Sequence, residues 1–199
     1  MKDILMKYMG ELTSLSQEEQ QAVLADIQVG EFAKGTFLLK QGESPTECYF
    51  VLKGCVRQYT LDEMGKEVTT GFYTEEQAIV SFNRHKPDRA SEFSLVCLED
   101  CTLVVGDLSV EQDMYARHGQ LEGMTRSMVE QNFGETQDRF AAFIASTPEE
   151  RYTRLLQERP GLSGRVPQHQ LASYLGITPE SLSRIKKRLQ TERKPSDLI

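Results

Sequence analysis

Residues 165–189 read RVPQHQLASYLGITPESLSRIKKRL, and this stretch decides how the C-terminal part of the chain folds. Leu171, Ala172 and Leu175 are spaced so that they share one face of a short helix. Gly176 follows at the point where that helix is expected to stop, because glycine adopts a left-handed backbone without steric cost. The pattern predicts a helix that ends in a glycine turn.

A second helix is predicted directly after this turn. Thr178 is a typical N-cap residue, and Pro179 suits the first helical position. Leu182, Ile185 and Leu189 recur at helical spacing and form a buried stripe. Two short helices joined by a tight glycine turn are typical of a DNA-binding helix-turn-helix.

The outward face of the second helix, residues 179–189, has the chemistry of a recognition helix. Glu180 and Arg184 fall almost opposite the buried stripe; arginine can donate two hydrogen bonds to guanine, and glutamate can accept one from cytosine. An intrahelical ion pair is the alternative for these two residues, and a solvated last turn is the alternative for the basic run after them. The predicted DNA-binding residues are Gln168, His169, Thr178, Glu180, Ser181, Ser183, Arg184, Lys187 and Arg188.

Charge is distributed unevenly along the 199 residues, whose net charge is −7. Residues 151–199 hold ten Lys and Arg against four Asp and Glu, whereas residues 1–150 hold 13 against 26. A basic C-terminal module on an acidic body is typical of a DNA-binding domain attached to a sensing or assembly domain. We find no nucleophile–base arrangement, glycine-rich phosphate loop or metal-ligand set, so we predict that the protein is not an enzyme.

The sequence shows neither an apolar run long enough to cross a membrane nor the apolar core of a signal peptide. We therefore predict a cytoplasmic protein without membrane contact. Cys48, Cys55, Cys97 and Cys101 are too sparse for a disulfide scaffold, and no second close pair completes a metal site with the last two. Buried free thiols are the preferred interpretation for all four.

Between about residues 28 and 109 the chain consists of short apolar or alternating runs such as CYFVL, CVRQYTL and CTLVV. Glycine and acidic turns separate them, which is typical of antiparallel strands. Many short strands at near-regular spacing predict an antiparallel jelly-roll barrel within an α+β fold. A capping-box pattern at Ser16 predicts a helix before the strands.

A long helix is predicted over residues 112–146. Its apolar residues fall on two stripes: Leu121, Met124 and Met128 on one, and Val129, Phe133, Phe140 and Ile144 on the other. A helix that is apolar on two faces must be covered twice. One stripe is expected to pack on its own sandwich and the other on a partner chain; burial within one chain is the alternative. The candidate dimer residues are Leu121, Met124, Met128, Val129 and Phe133.

A further helix is predicted to begin after Thr147, with Pro148 at its first position and Glu150 completing a capping box. These boundaries divide the chain into a sensor domain over 1–111, a linking and dimerisation helix over 112–146 and a helix-turn-helix domain over 147–199. The tail after Leu189 leaves room for at most a small wing strand.

This order of parts resembles the Crp/Fnr family of bacterial transcription regulators over nearly the whole chain. The sharpest stretch is ASYLGITPESLSRIKKRL, while KGTFLLKQGE, YFVLKG and DEMGKE resemble turns of the family's cyclic-nucleotide-binding-like sensor domain. The resemblance implies a homodimer that binds palindromic double-stranded DNA, a sensor domain that binds a small-molecule effector, and contact with RNA polymerase.

The resemblance extends to individual residues of the recognition helix. Glu180 and Arg184 stand where the family commonly carries a glutamate and an arginine, and Ser183 is similar to the Fnr-type arrangement, which implies a TTGA-like half-site. Pro179 replaces a basic residue of the cyclic-AMP-binding branch. Gln168 and His169 are candidate phosphate contacts, with simple exposure as the alternative.

The sensor domain departs from the pattern of the cyclic-nucleotide-binding members. Val80 replaces a glycine, Ser81 stands where a ribose-binding glutamate is expected, and Ser91 stands where a phosphate-binding arginine is expected. A shifted loop would let Arg89 replace that cation, but Glu92 would then oppose it. Because a phosphate that loses its charge-assisted partner binds weakly, we predict that cyclic AMP is not the ligand and that no cofactor is bound.

Further alternatives bear on function. The sequence does not support the Fnr-type iron–sulfur arrangement, because no cysteine cluster precedes Cys48. A lone loop histidine is no evidence for haem. A cyclic-nucleotide-responsive regulator is the second interpretation of the same architecture. A module that binds ligand or protein without reading DNA is the third, and the basic C-terminal balance argues against it.

Overall fold

The computed structural model describes residues 2–80, 88–109 and 111–192. They divide into two compact units, one drawn from Met1–Thr60 with Gly71–Asp138 and the other from Leu61–Thr70 with Arg139–Ile199. The division falls within the long helix, eight or so residues before the boundary predicted at Thr147.

The first unit begins with two helices and continues as strands. These elements are α1 (Lys2–Leu12), α2 (Gln17–Asp26), β1 (Gln28–Phe32), β2 (Phe37–Leu39), β3 (Glu47–Lys53), β4 (Val56–Leu61), β5 (Glu67–Tyr73), β6 (Ala78–Ile79), β7 (Ser94–Cys97) and β8 (Cys101–Asp107). The helices that follow are α3 (Glu111–Arg117), α4 (Gly119–Ala145), α5 (Pro148–Glu158), α6 (Leu162–Arg165), α7 (Gln168–Tyr174) and α8 (Pro179–Glu192).

The strands form two four-stranded sheets, with the orders β1-β8-β3-β6 and β2-β7-β4-β5. Neighbouring strands run antiparallel, as in the pairs of β8 with β1 and β3 and of β7 with β2 and β4. Val51, Val56, Leu95 and Leu103 are almost fully buried between the sheets. The predicted α+β fold with an antiparallel sandwich is confirmed.

Strand β3 is apolar on both faces, and this explains where the N-terminal helices lie. Tyr49 and Val51 point into the sandwich, whereas Phe50 and Leu52 belong to a second apolar cluster with α1 and α2. Successive strand residues face opposite sides of a sheet, so a run of buried residues requires a cover on each side. Leu121 of α4 completes this second cluster.

The predicted helix over 112–146 is interrupted at His118. One ring nitrogen of His118 lies 3.1 Å from Asp26 Oδ2, and Arg117 donates to the same oxygen at 2.7 Å. Both partners lower the pKa of the Asp26 carboxyl, the hydrogen bond from His118 most strongly. Gly119, a poor residue for a helix interior, begins α4 after this junction.

The two predicted capping boxes are confirmed. Ser16 and Thr147 each form a complete capping box at the start of α2 and α5. All four cysteines are free thiols, and three of them are buried. Within the described ranges no helix is both long and apolar enough to cross a membrane.

The turn between β4 and β5 belongs to the second compact unit, although the sequence placed it in the sensor domain. The carboxylate of Asp62 accepts the backbone N–H groups of Met64 and Lys66 at 3.0 and 2.9 Å, which closes the turn. The backbone N–H of Thr69 donates to Ser173 Oγ in α7 at 2.9 Å. The predicted DEMGKE turn is therefore present, and the strand that follows it is hydrogen-bonded at Thr69 to the first helix of the helix-turn-helix.

Candidate nucleic-acid interface

The helix-turn-helix has the geometry that its sequence predicts. Leu171 and Ala172 are fully buried in α7, and Leu175 is 2% exposed. Gly176 follows with φ of +71°, the left-handed conformation expected at a helix end. The backbone N–H of Ile177 then donates to Ala172 O at 3.0 Å, which fixes the direction in which the chain leaves the turn.

Helix α8 begins with the predicted cap. Thr178 Oγ1 accepts the backbone N–H of Ser181 at 3.2 Å, and Pro179 is the first residue of the helix. Leu182 is fully buried and Ile185 is 7% exposed, so the inner face of α8 is held in the apolar core of this unit. Burial of one face fixes which side chains the helix presents outward.

Four predicted DNA-binding side chains are exposed on the outer face of α8: Glu180, Ser183, Arg184 and Lys187. Arg184 Nη2 donates to Ser181 Oγ at 3.2 Å, which positions the guanidinium one turn along from the cap. Hydrogen bonds from its own backbone N–H and from Thr178 lower the pKa of the Glu180 carboxyl, with a smaller contribution from Arg184. This face therefore presents one stable carboxylate beside two cations.

Two other predicted contacts are engaged within the chain. The Arg188 guanidinium forms an ion pair with the Glu149 carboxylate in the first turn of α5. Lys186 Nζ donates to the side-chain oxygen of Gln168 and lies 5.7 Å from the centroid of the Tyr152 ring. Burial lowers the pKa of Lys186. His169 is exposed beside Gln168 at the start of α7.

An open groove of about 490 Å³ runs along one side of α8, between its outer and inner faces, beside the start of α5. Its lining comprises Thr147, Pro148, Glu149, Ile177, Ser181, Arg184, Ile185 and Arg188. The sequence did not predict that residues 147–149 line this groove. Their capping-box pattern identifies a helix start, but nothing local indicates that this start lies beside α8.

The structure places the two apolar stripes of α4 in different surroundings. Leu121 is 3% exposed, and Met124 and Met128 pack with it against the second apolar cluster. These three residues therefore cover the sandwich of their own chain, which corrects their assignment to the dimer face. Val129 is half-buried, whereas Phe133 is 63% exposed.

The exposed stripe continues toward the end of α4. Phe140 and Ile144 are each 67% exposed. At 100° per residue they fall within about 60° of Val129 and Phe133 around the helix axis. Large apolar side chains in one exposed stripe are typical of a surface that another chain covers.

A small cavity lies within the sensor sandwich. It has a volume of about 90 Å³ and is lined by Leu38, Leu39, Glu43, Ser44, Pro45, Thr46, Glu47, Tyr49, Ile79 and Leu95. Small-molecule sites typically have volumes of roughly 300–1,000 Å³. Tyr49 donates its hydroxyl hydrogen to Glu47 Oε2 at 2.5 Å, and burial raises the pKa of that hydroxyl. The described lining contains acidic side chains and no Lys or Arg.

The predicted effector-pocket residues are not brought together at this cavity. Val80 follows β6 and is half-buried, Arg89 and Glu92 are exposed, and Ser81 lies outside the described residues. None of the four that the structure describes lines the cavity: Val80, Arg89, Ser91 and Glu92.

Ser91, another predicted effector-pocket residue, is buried and its hydroxyl bonds to its own loop. Its hydroxyl donates to Phe93 O at 2.8 Å and accepts the Phe93 N–H at 3.2 Å. Its backbone N–H donates to Glu43 O at 2.9 Å, and its carbonyl accepts from Gly42 at 2.8 Å.

Among the residues that the structure describes, no group of three His, Cys, Asp or Glu side chains is arranged to hold a metal ion.

Comparisons with known proteins agree with this architecture. A family model described as a cyclic nucleotide-binding domain matches residues 29–118. The fumarate and nitrate reduction regulatory proteins of Salmonella typhimurium and Escherichia coli are 29% identical to this chain over 174 residues. The match covers 79% of this chain and 66% of each relative, so the chain spans just under two thirds of their length.

Solved structures share the fold. FixK2 from Bradyrhizobium japonicum aligns with a TM-score of 0.67 at 18% identity, covering 83% of this chain and 85% of that chain. The catabolite activator protein of Thermus thermophilus aligns with a TM-score of 0.53 at 19% identity, covering 90% and 85% of the two chains.

The sandwich, the long helix and the C-terminal helix-turn-helix together give this chain the fold of these solved structures. The chain is similar to transcription regulators of the Crp/Fnr type, in agreement with the resemblance that its sequence shows.

Proposed function

We propose that the protein is a homodimeric transcription regulator that binds a palindromic operator in double-stranded DNA through α8. The observation that carries this proposal is the outer face of α8, where Glu180, Ser183, Arg184 and Lys187 are exposed while the opposite face is buried. A rigidly held helix with exposed polar side chains suits the major groove, which admits one α-helix.

Each exposed side chain has a role under this proposal. Arg184 donates two hydrogen bonds to O6 and N7 of a guanine, and Glu180 accepts one from N4 of a cytosine. Ser183 contributes to the recognition of a TTGA-like half-site. Lys187 contacts a backbone phosphate, which adds affinity without sequence preference.

The dimer forms through the exposed stripe of α4. Phe133, Phe140 and Ile144 leave more than half of their surface in water in the single chain. In the dimer, the stripe of one copy would pack against the same stripe of the second copy, as two-fold symmetry requires. The two copies of α8 would then enter successive major grooves, roughly 34–36 Å apart.

The effector of the sensor domain is proposed to differ from cyclic AMP. A cyclic phosphate is an anion, and Ser81 and Ser91 stand where the resemblance places a ribose-binding glutamate and a phosphate-binding arginine. A phosphate that loses its charge-assisted partner binds weakly. Contact with RNA polymerase belongs to the same proposal, as the means by which the bound dimer controls transcription.

A cyclic-nucleotide-responsive regulator is the second candidate. The observation that favours it is the match of residues 29–118 to the cyclic nucleotide-binding domain. Calorimetry with cyclic AMP and cyclic GMP separates the candidates, since micromolar binding of either nucleotide would replace the first proposal for the sensor.

Selection from a random duplex pool tests the DNA-reading proposal. The purified protein is mixed with the pool in the absence and presence of cyclic AMP, and bound duplexes are sequenced. We expect a TTGA-like palindrome without the nucleotide. Enrichment only with cyclic AMP would support the second candidate, and no enrichment in either condition would contradict DNA reading by the protein alone.

A further inference from the structure

Arg151 contacts two segments of the chain that both precede the recognition helix. Its Nε donates to the carbonyl oxygen of Ser146 at 3.2 Å, directly after the end of α4. Its Nη1 donates to the carbonyl oxygen of Leu175 at 2.8 Å, in the turn between α7 and α8. The guanidinium carbon lies 3.9 Å from the centroid of the Phe143 ring in α4. One side chain therefore joins the end of α4 to the turn of the helix-turn-helix.

We propose that Arg151 is a positioning residue that fixes the helix-turn-helix to the end of the dimerisation helix and so sets the spacing between the two recognition helices. This inference rests on the proposed function, because it assumes a dimer through α4 and DNA reading through α8. Both acceptor carbonyls lie at helix ends, where no intrahelical partner is available. The planar guanidinium can bond two such acceptors and stack on an aromatic ring at once.

The turn itself is adapted to this contact. A Cβ atom at Gly176 would lie 3.1 Å from Arg151 Nη1 and 3.2 Å from Phe143 Cζ, tighter than most contacts of real Cβ atoms. Glycine therefore serves both the left-handed turn and the close approach of the Arg151–Phe143 pair. The two requirements coincide at the residue that joins α7 to α8.

Spacing is the property that this contact controls. Each recognition helix can read its own half-site without reference to the other, because base contacts are local. Reading a palindrome also requires the two helices to be held at one separation. Loss of the Arg151 contacts would leave the half-site chemistry of α8 intact and release its position relative to α4.

The test compares Arg151→Gln and Arg151→Lys with Arg154→Ala, which removes an exposed cation from the same helix. Affinity is measured for palindromes of the selected half-site whose spacing changes by single base pairs, and for a duplex with one half-site. We expect wild type and Arg154→Ala to prefer one spacing by about tenfold or more, because a dimer with fixed recognition helices fits half-sites at one separation. Both Arg151 variants should lose that preference while their half-site affinity stays within about twofold of Arg154→Ala.

Two outcomes would overturn the inference. Arg151 variants that retain the spacing preference would show that other contacts position the helices. Variants that lose half-site and palindrome affinity equally, with a lower melting temperature, would show that Arg151 only stabilises the fold.

A measurement without DNA keeps the inference distinct from the proposed function. Amide hydrogen exchange should accelerate at Leu175–Ile177 and at 142–146 in both Arg151 variants and not in Arg154→Ala. If the wild type selects no DNA sequence, the proposed function fails, and exchange still decides whether Arg151 joins these two segments. Unchanged exchange in the Arg151 variants would refute the joining contact directly.

Discussion

Glu149 is expected to restrain the affinity of the protein for DNA. Its carboxylate pairs with the guanidinium of Arg188, in the groove between the first turn of α5 and one side of α8. In a complex with DNA the carboxylate would face backbone phosphates and hold a cation that could otherwise neutralise one of them. Glu149→Gln removes the negative charge and keeps the shape of the side chain.

The magnitude follows from the number of cations released. Each phosphate that a protein neutralises steepens the slope of log affinity against log salt by about 0.9. One freed Arg188 therefore steepens the slope by about that amount, which is about a 3.5-fold additional loss over a fourfold rise in salt. The variant should bind more tightly than wild type at low salt and approach it as salt rises.

Stability should change little, because the side chains of Arg188 and Glu149 are 56% and 32% exposed and solvent screens their attraction. The assay is fluorescence anisotropy of a labelled operator at several salt concentrations. Glu158→Gln is the matched control, since it removes the same charge from the far end of α5 and should leave the slope at the wild-type value.

The reasoning would be refuted if Glu149→Gln and Glu158→Gln gave equal slopes. It would also be refuted if the effect of Glu149→Gln persisted after Arg188→Gln, because the released cation would then lie elsewhere.

Three further predictions concern separate parts of the molecule. Lys187→Ala should weaken binding to all duplexes alike and reduce the salt slope by about one, as measured by anisotropy on specific and random duplexes; a loss confined to the specific duplex would contradict a phosphate contact. Phe140→Glu should convert the dimer to a monomer in sedimentation velocity, whereas Phe37→Glu, at a residue 46% exposed in β2, should leave the dimer intact. Because His118 and then Arg117 lower the pKa of folded Asp26, its contribution to stability is present above the unfolded value of about 3.9 and is lost as pH falls through the lower folded value. Acid unfolding followed by circular dichroism should therefore be less steep in Asp26→Asn, and identical profiles would exclude this contribution.

Local sequence chemistry was enough to predict the helix-turn-helix. The left-handed glycine at 176, the cap at Thr178 and the proline after it each act within one turn of backbone. The outward face of α8 then follows from the positions of Leu182 and Ile185, since the helical period leaves no other arrangement.

The features that could not be predicted depend on partners distant in sequence. The break at His118 involves Asp26, which lies 92 residues away. One stripe of α4 packs on its own chain because the outer face of β3 is apolar. That face exists only once the sheet has formed, so the sequence alone did not identify the covered stripe. The pairing of Arg188 with Glu149 likewise depends on how α5 and α8 pack.

The sensor domain shows the same limit. Ser91 was a candidate effector-pocket residue because it stands where a phosphate-binding arginine is expected, but its hydroxyl is occupied by Phe93 two residues further on. The spacing of residues along the chain did not reveal which way this loop turns its side chains.

The most direct test of the account pairs one side chain with one base pair. Wild type and Arg184→Ala are each titrated with the selected palindrome and with a palindrome in which the half-site G·C pair is replaced by A·T. We predict that wild type discriminates between the two duplexes by about 1–3 kcal/mol and that Arg184→Ala discriminates little, because the bidentate contact to guanine is lost. Equal discrimination by both proteins would show that Arg184 does not read this base pair and would contradict the assignment of α8 as the recognition helix.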